Sequence, residues 1–270
     1  MPFLSVSLHN FRNIADSTID LLAKEVYFVG ENGQGKSNML ESLYLSAYGS
    51  SFKATNDNEI IKTGESFFGI RTIYKDSNER TRSITVKYKD HKKKIEKNTK
   101  NITDRKELLH TIPCILFNHD DLDFAVGSPD RKRFFIDQTL SLLDKDYVDI
   151  FRAYKKIVKS RNLVLKEQNY SLLDSLDYQL AEKGLEIIQK REHTIVTFNT
   201  IFSKLYEETS KIDNVSIEYA PSWKGSDIKD VLAFLSEKRV QDQNFGITLT
   251  GPHRDKIRFV RQKKDFVATA

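Results

Sequence analysis

The sequence has one cysteine in 270 residues and no apolar run long enough to cross a bilayer. The single thiol, Cys114, excludes an internal disulfide and a metal site built from clustered thiolates. A membrane-spanning helix needs about 20 apolar residues, and the first residues lack the basic-then-apolar order of a secretory signal. There is no internal repeat and no low-complexity segment. These absences predict a globular cytoplasmic protein without a membrane segment.

Positive charge is in modest excess, with 43 Lys and Arg residues against 38 Asp and Glu residues and a net charge of +5. Basic surfaces bind polyanions by releasing counterions, so the excess favours a nucleic-acid partner. A lysine-rich composition is also typical of an ordinary solvated surface. Charge alone therefore leaves both interpretations open.

The N-terminal pattern predicts a strand, a glycine-rich loop and a helix. Residues 3–9 alternate between apolar and polar side chains, which predicts an edge or mixed strand. Residues 26–29 form an unbroken run of β-forming residues bounded by glycine, which predicts a strand buried on both faces. After Ser37, apolar residues recur at helical spacing until Gly49. The apolar positions of this predicted helix are Met39, Leu40, Leu43, Tyr44 and Ala47.

The rest of the chain changes from β to helical character. Residues 67–100 alternate with period two and predict an antiparallel meander. Ser128 followed by proline predicts a helix start, and one apolar stripe from Leu140 to Val164 predicts a continuous helix. A second long helix covers residues 173–205, and the pair predicts an arm inserted into the first domain. A shorter helix near residues 227–238 and strands at residues 245–249 and 257–260 complete the prediction.

Residues 30–37 carry the clearest chemical signal. They read Gly-Glu-Asn-Gly-Gln-Gly-Lys-Ser, the phosphate-binding loop pattern of two glycines separated by four residues and followed by lysine and a hydroxyl residue. The glycines let backbone N–H groups face a polyphosphate, and the following helix adds its positive end. We expect Lys36 to reach the β- and γ-phosphates and the Ser37 hydroxyl to ligate Mg²⁺. The predicted nucleotide-binding residues are Gly30, Glu31, Asn32, Gly33, Gln34, Gly35, Lys36 and Ser37. Arg12 and Asn13 are two further candidates, and the alternative is that they only end the first strand.

The acidic half of a hydrolytic site is not evident. Hydrolysis needs a carboxylate at the end of an apolar strand to hold magnesium and orient water. The nearest match is at residues 114–121, where Asp120 and Asp121 come three residues too late for a strand end. The sequence therefore identifies no catalytic residue, and Ser37 is its only predicted metal ligand.

Three basic groups are candidate DNA contacts. Residues 91–94 lie at a predicted hairpin tip, where a solvated turn is the alternative. Residues 131–133 fall in the first turn of a helix, where positive charge opposes the helix dipole, and this favours a ligand or a partner. His253 and Arg254 follow a Gly-Pro turn, and a purely structural turn is the alternative. The candidate DNA-binding residues are Lys92, Lys93, Lys94, Arg131, Lys132, Arg133 and Arg254.

Further motifs lie in a fixed order around the phosphate loop. Asn-Phe-Arg-Asn at residues 10–13 precedes it, and Gly-Ser-Ser-Phe-Lys at residues 49–53 follows it. Downstream come Gly-Ser-Pro-Asp-Arg-Lys-Arg-Phe-Phe-Ile-Asp at residues 127–137, Lys-Ser-Arg-Asn at residues 159–162 and Thr-Gly-Pro-His-Arg-Asp at residues 250–255. Collinear over the whole chain, these landmarks resemble the RecF family of bacterial DNA repair proteins, with Lys256 where the family has a second acid.

The resemblance implies an α/β fold, namely a P-loop NTPase head of the ABC-ATPase type, like those of SMC and Rad50 proteins, with an inserted helical lobe. It predicts an ATP-binding lobe at residues 1–128, a helical lobe at residues 129–240 and a return to the ATP-binding lobe at residues 241–270. The implied cofactors are ATP and Mg²⁺, with ATP between two subunits and slow hydrolysis as a release timer. The implied partners are single-stranded and gapped duplex DNA, RecR, RecO, RecA and a second copy of the chain.

Three elements that complete the ATP site in the family have no counterpart in this sequence. In the family, the signature, the aspartate-glutamate strand and the switch histidine follow the counterpart of Ala270. We therefore expect either a fragment of a longer protein or a shortened product. In a shortened product, ATP-driven dimerisation and hydrolysis should both fail, and an unpaired sheet edge should expose apolar surface.

Two alternatives remain at this stage. Another ATPase head, of the Rad50 or overcoming-lysogenisation-defect kind, requires a long coiled coil or an acidic nuclease domain. A small-molecule phosphotransferase requires a lid with catalytic arginines and a carboxylate base.

Overall fold

The computed structural model describes residues 3–117, 127–262 and 264–266. Contacts group the chain into two compact units, residues 1–116 and residues 117–270. The described ranges contain no helix that is both long and apolar enough to cross a membrane. The assignment of lobes to residues 1–128, 129–240 and 241–270 stays a prediction.

The described part of the first unit contains an antiparallel sheet with the strand order β2-β1-β3-β4-β5-β6. The meander predicted at residues 67–100 is confirmed, since β3, β4 and β5 pair in succession. Asp90 and His91 join β4 to β5 with φ angles of 50° and 58°, the left-handed conformation that two-residue hairpin turns favour. The strands are β1 (Phe3–His9), β2 (Ser17–Asp20), β3 (Phe67–Lys75), β4 (Thr81–Lys89), β5 (Lys92–Lys97) and β6 (Lys100–Asn101).

One face of this sheet packs against helix α1 (Lys36–Tyr48), which ends at Gly49 as predicted. The buried side of α1 differs from the predicted apolar stripe. Leu40 is 46% exposed, whereas Ser46 is buried and its hydroxyl lies 2.7 Å from the hydroxyl of Thr72. Polar side chains with satisfied hydrogen bonds occupy part of the core side, so hydrophobic periodicity misplaces the buried face. A short helix, α2 (Lys106–Leu109), follows the sheet.

The buried strand predicted at residues 26–29 is wrong. No strand is formed there, and Tyr27 and Val29 are 78% and 92% exposed. A strand exists through hydrogen bonds to a neighbouring strand, and none within residues 3–117 pairs with this segment. The high β-propensity of the segment is therefore not enough to make it a strand.

The second unit is mainly helical in its described residues. Helix α3 begins at Pro129 after Ser128, as predicted, although the Ser128 side chain makes no capping bond. Helices α4 and α5 pack against each other across a short connection, and the second long helix is confirmed. Asp227 caps the last helix by accepting from the N–H of Asp230 at 2.8 Å. The helices are α3 (Pro129–Leu143), α4 (Tyr147–Lys166), α5 (Leu173–Ser210) and α6 (Ile228–Phe245).

The continuous helix predicted from Leu140 to Val164 is wrong, because the chain breaks between α3 and α4 at Asp144. The Asp144 carboxylate accepts from the N–H of Asp146 at 2.9 Å and from the Lys190 ammonium at 2.5 Å. A carboxylate that bonds to nearby backbone in this way competes with the helical hydrogen bond. The apolar stripe continues across the break because both helices face the same core.

The strand predicted at residues 245–249 is also wrong. Helix α6 extends to Phe245 and ends at Gly246, which has a φ of 66°. Beyond it, the N–H groups of Thr248 and Leu249 donate to side-chain oxygens, namely the Oδ1 atoms of Asn162 at 2.8 Å and Asp242 at 3.0 Å. These bonds replace the ladder that a strand would need.

A second antiparallel sheet follows the order β7-β8-β9. It confirms the strand predicted at residues 257–260. Its side chains Ile217, Ile257 and Phe259 are buried in one core with the helices and with Trp223. The strands are β7 (Val215–Ala220), β8 (Lys256–Arg261) and β9 (Lys264–Asp265).

Candidate nucleotide-binding site

The glycine-rich loop at residues 30–37 leads into the N-terminus of α1, as predicted. Lys36 is the first helical residue, and Gly35 precedes it with a φ of 97°. Gly33 has a φ of 85°, and both values lie in the region that only glycine enters without strain. A Cβ atom on Gly35 would also lie only 3.0 Å from Oδ1 of Asn13. The loop therefore needs glycine at this position for both conformation and space.

The ammonium group of Lys36 is held at the loop by backbone carbonyls. Its Nζ donates to the carbonyl oxygens of Gly30 at 2.6 Å and Glu31 at 2.7 Å. As far as the structure describes the chain, no side chain caps the start of α1, and its first turn has no acidic residue. The N–H groups of that turn and the ammonium group form a positive helix end that fits a polyphosphate.

Asn13 supports the loop from the side. Its Nδ2 donates to the carbonyl of Gly33 at 2.7 Å, and its Oδ1 accepts from Nδ2 of Asn38 at 2.8 Å. Asn38 in turn accepts from Nζ of Lys53 at 2.9 Å. The structure thus brings Asn13 to the loop, and a direct contact of Asn13 with a nucleotide stays a prediction.

Arg12 is directed towards α1. It donates from Nε and Nη2 to the two carboxylate oxygens of Glu41 at 3.0 and 2.8 Å, and from Nη1 to the carbonyl of Glu59 at 2.7 Å. Glu41 is fully buried and also accepts from the hydroxyl of Ser51. A guanidinium group committed to a buried carboxylate favours the structural interpretation of Arg12. The sequence prediction missed Glu41, although a glutamate inside a helix that packs on a sheet is a usable signal.

Ser37 is exposed to solvent in the first turn of α1. The described residues contain no group of three or more His, Cys, Asp or Glu side chains that could hold a metal. Asp120 and Asp121 lie outside the described residues. The Mg²⁺ site therefore stays a prediction that rests on Ser37.

Strand alternation separates the three lysines of the first candidate DNA cluster. They belong to β5 rather than to the tip of the hairpin, because Asp90 and His91 form the turn. Lys92 and Lys94 are exposed, whereas Nζ of Lys93 lies 2.7 Å from a carboxylate oxygen of Asp57. The three lysines therefore do not form one patch.

The second candidate DNA cluster is also divided. Arg131 is exposed and Lys132 is half-buried, but Arg133 is only 7% exposed. Arg133 donates to the carbonyl of Asp255 and to a carboxylate oxygen of Asp130, both at 2.6 Å. These inward bonds favour a structural role for Arg133, and DNA contacts by the cluster stay a prediction.

Arg254 is exposed, whereas the neighbouring His253 is half-buried and hydrogen-bonded at both ring nitrogens. Nε2 of His253 lies 3.0 Å from the carbonyl oxygen of Thr248 and carries the proton, because a carbonyl oxygen can only accept. Nδ1 therefore accepts from the Tyr154 hydroxyl at 2.7 Å. Burial lowers the pKa of His253. A neutral imidazole with both nitrogens bonded supports the structural alternative for His253, and leaves a DNA contact of Arg254 as a prediction.

The sequence prediction also missed two buried ion-pair networks in the second unit. Arg161 is fully buried and donates to Asp177 at 2.6 Å and Asp242 at 2.7 Å. Arg191 is 1% exposed and binds both carboxylate oxygens of Asp137 at 2.9 and 3.0 Å. The signal was available, because each arginine interrupts an apolar helical stripe at a core position.

Comparison with known proteins places these features in a family. An AAA domain family matches residues 5–244. The DNA replication and repair protein RecF of Treponema pallidum is 43% identical over 263 residues, which cover 97% of this chain and 74% of that protein. The protein of the same name from Clostridium perfringens strain SM101 is 34% identical over 94% of this chain and 72% of its own length.

Solved structures agree with the sequence relatives. The recombination mediator protein RecF-ATP in the RecFOR pathway matches with a TM-score of 0.91 and 25% identity, covering 100% of this chain and 75% of that one. The RecF-ATPrS structure of the same pathway matches with a TM-score of 0.87 and 26% identity, over 97% of this chain and 74% of that one. These matches confirm the predicted fold, a P-loop ATPase head of the SMC and Rad50 type. The chain belongs to the family of the DNA replication and repair protein RecF.

Proposed function

We propose that this chain binds ATP through the loop at residues 30–37. The observation that carries the proposal is the uncapped N-terminus of α1, preceded by Gly33 and Gly35 in left-handed conformations and bordered by the Lys36 ammonium. Backbone N–H groups and one ammonium group suit the charge and spacing of a triphosphate. The similarity to a RecF-ATP structure supports the same assignment.

Magnesium is proposed as the accompanying cation. The Ser37 hydroxyl is the ligand that this chain would contribute, as in other phosphate-binding loops. Bound Mg²⁺ neutralises phosphate charge, while the chain holds the phosphates through the loop N–H groups and Lys36.

We propose a role in DNA replication and recombinational gap repair in the cytoplasm. The partners in this proposal are single-stranded and gapped duplex DNA, RecO, RecR, RecA and a second copy of the chain, with ATP between the two copies. The names of the relatives and the excess of basic residues support this role. Binding of DNA is proposed to depend on ATP.

The nucleotide assignment is tested by titrating the chain with fluorescent ATP in the presence of Mg²⁺. Replacement of Lys36 by alanine removes the ammonium that faces the phosphates, and we expect affinity to fall at least about tenfold, the equivalent of about 1.4 kcal/mol. Lys24→Ala, which removes an exposed lysine outside residues 30–37, is the matched control. Equal affinities of the Lys36 variant and the control would refute the assignment.

The DNA role is tested by gel shifts with gapped duplex DNA, with and without ATP. We expect a complex that strengthens with ATP in the unmodified chain and is insensitive to ATP in the Lys36 variant. A panel of metabolite kinase assays distinguishes this role from that of a small-molecule phosphotransferase. A phosphotransferase would consume ATP with a small-molecule acceptor and leave DNA unbound.

A further inference from the structure

The outer face of the first-unit sheet collects positive charge. In strands β3, β4 and β5, the residues that point away from the core include Arg71, Lys87, Lys89, Lys92 and Lys94, and only one carboxylate, Glu96. Glu96 is bonded to Lys94 at 2.6 Å. In the part of the first unit that the structure describes, the other four cations have no ion-pair partner.

The register of the strands brings like charges together on this face. Lys87 is directly opposite Lys94, and Lys89 is directly opposite Lys92. Like charges in directly opposed positions destabilise an antiparallel pair. The two pairs therefore destabilise the free protein. A bound polyanion would reduce the repulsion by neutralising the charges of the lysines.

Aromatic side chains lie beside the lysines. Phe67 is opposite Lys89, and its ring centroid lies 5.1 Å from that of His9 on the neighbouring strand. Phe67 lies on the outer side of the sheet, outside the hydrophobic core of the first unit. An aromatic ring next to cations on an open sheet is the combination on which nucleic-acid bases stack.

Gly69 has no side chain, so the surface between His9 and Lys87 on the two neighbouring strands is open. Its φ is not in the left-handed region, and a Cβ atom there would meet only the Cβ of His9, at 3.9 Å. Neither conformation nor packing therefore requires glycine, which is unfavourable inside a strand. A shallow depression of about 540 Å³ lies at this position, bordered by Phe67, Arg71 and Lys87.

We propose that this outer sheet face, defined by His9, Phe67, Gly69, Arg71 and the four lysines 87, 89, 92 and 94, binds single-stranded DNA. The phosphates contact the lysines, and one base stacks on Phe67. The proposal rests on the proposed DNA binding and adds its place on the molecule. Exposed bases favour a single strand, because a duplex hides its base faces from an aromatic side chain.

The test measures polarisation of a labelled oligothymidylate across a series of salt concentrations. Lys87→Thr combined with Lys89→Thr removes one member of each like-charge pair and retains β-propensity. Two lost phosphate contacts reduce the slope of log affinity against log salt by about 1.4, which corresponds to roughly 25-fold weaker binding at about 0.1 M salt. The thermal midpoint is expected to stay equal or to rise.

The matched control is Lys24→Ala combined with Arg80→Ala, which removes the same charge from the first unit outside the outer sheet face. Phe67→Leu should weaken binding about tenfold without changing the salt slope, because it removes stacking rather than charge. Equal losses in the control and in the lysine variant would overturn the proposal, as would a lysine variant that binds like the unmodified chain. If the unmodified chain binds no DNA in any form, the proposed function fails as well. If only duplex DNA binds, the single-strand assignment alone is overturned.

Discussion

Removing the Arg191 side chain should destabilise the second unit more than any exposed charge change. Arg191 donates to both oxygens of Asp137, to the carbonyl of Pro252 at 2.7 Å and to Asp255 at 3.1 Å, while it is 1% exposed. Arg191→Met keeps most of the packing volume but leaves two buried carboxylates without their cation. Breaking a buried ion pair in this way costs about 3–5 kcal/mol. The Asp137 carboxylate would retain only the Tyr147 hydroxyl as a described partner.

The pH dependence of this loss has a definite sign. Burial raises the pKa of Asp137, and Arg191 and Tyr147 oppose that rise. Without Arg191, the pKa of Asp137 should rise further. A carboxyl group with a raised pKa stabilises the folded state when protonated, and this contribution is lost as pH rises through the folded pKa. The deficit of the variant should therefore be larger at neutral pH than at about pH 5.

Urea unfolding followed by tryptophan fluorescence measures this deficit. The only tryptophan, Trp223, is 4% exposed and lies in the core of the second unit, so it reports on that unit. A loss of about 4 kcal/mol in the free energy of unfolding lowers the urea midpoint by about 2 M, because this free energy typically falls by about 2 kcal/mol for each 1 M of urea. Arg258→Met, which removes an exposed pair with Glu218, should cost about 1 kcal/mol or less. A loss of that size for Arg191→Met, or one that is equal at both pH values, would refute the reasoning.

Gly184 and Asn13 each make a close contact that a single substitution would disrupt. Gly184→Ala places a Cβ atom 2.3 Å from the Trp223 ring, so it should lower stability by about 1–3 kcal/mol and shift the tryptophan emission, although alanine is the better helix former. Unchanged emission and stability would contradict this packing. Asn13→Ala removes the bond to the Gly33 carbonyl, and it should weaken ATP binding by roughly fivefold, about 1 kcal/mol, with little change in the unfolding midpoint. An ATP affinity equal to that of the unmodified chain would show that Asn13 does not support the loop.

Features set by nearby residues could be predicted from the sequence. The loop at residues 30–37 and helix α1 follow from glycine spacing and from a helical pattern that ends at Gly49. The meander follows from strict alternation, which places Ile70, Ile84 and Val86 in the core. In each case the information lies within one element or its neighbour in the chain.

Features that depend on distant partners could not be predicted in the same way. Residues 26–29 have the composition of a strand, but whether a strand forms depends on a neighbour elsewhere in the chain. The buried side of α1 depends on Arg12 and Thr72, which pair with Glu41 and Ser46 across long stretches of sequence. Similarly, the break at Asp144 is fixed in part by Lys190, 46 residues away.

Hydrogen exchange of the backbone amides in residues 30–39, measured with and without ATP and Mg²⁺, tests the central claim most directly. If the loop N–H groups bind the phosphates, exchange at Gly33, Gly35, Lys36 and Ser37 should slow on addition of ATP, and Lys36→Ala should abolish the effect. Protection by ATP that appears elsewhere in the chain and leaves these amides unchanged would contradict the account.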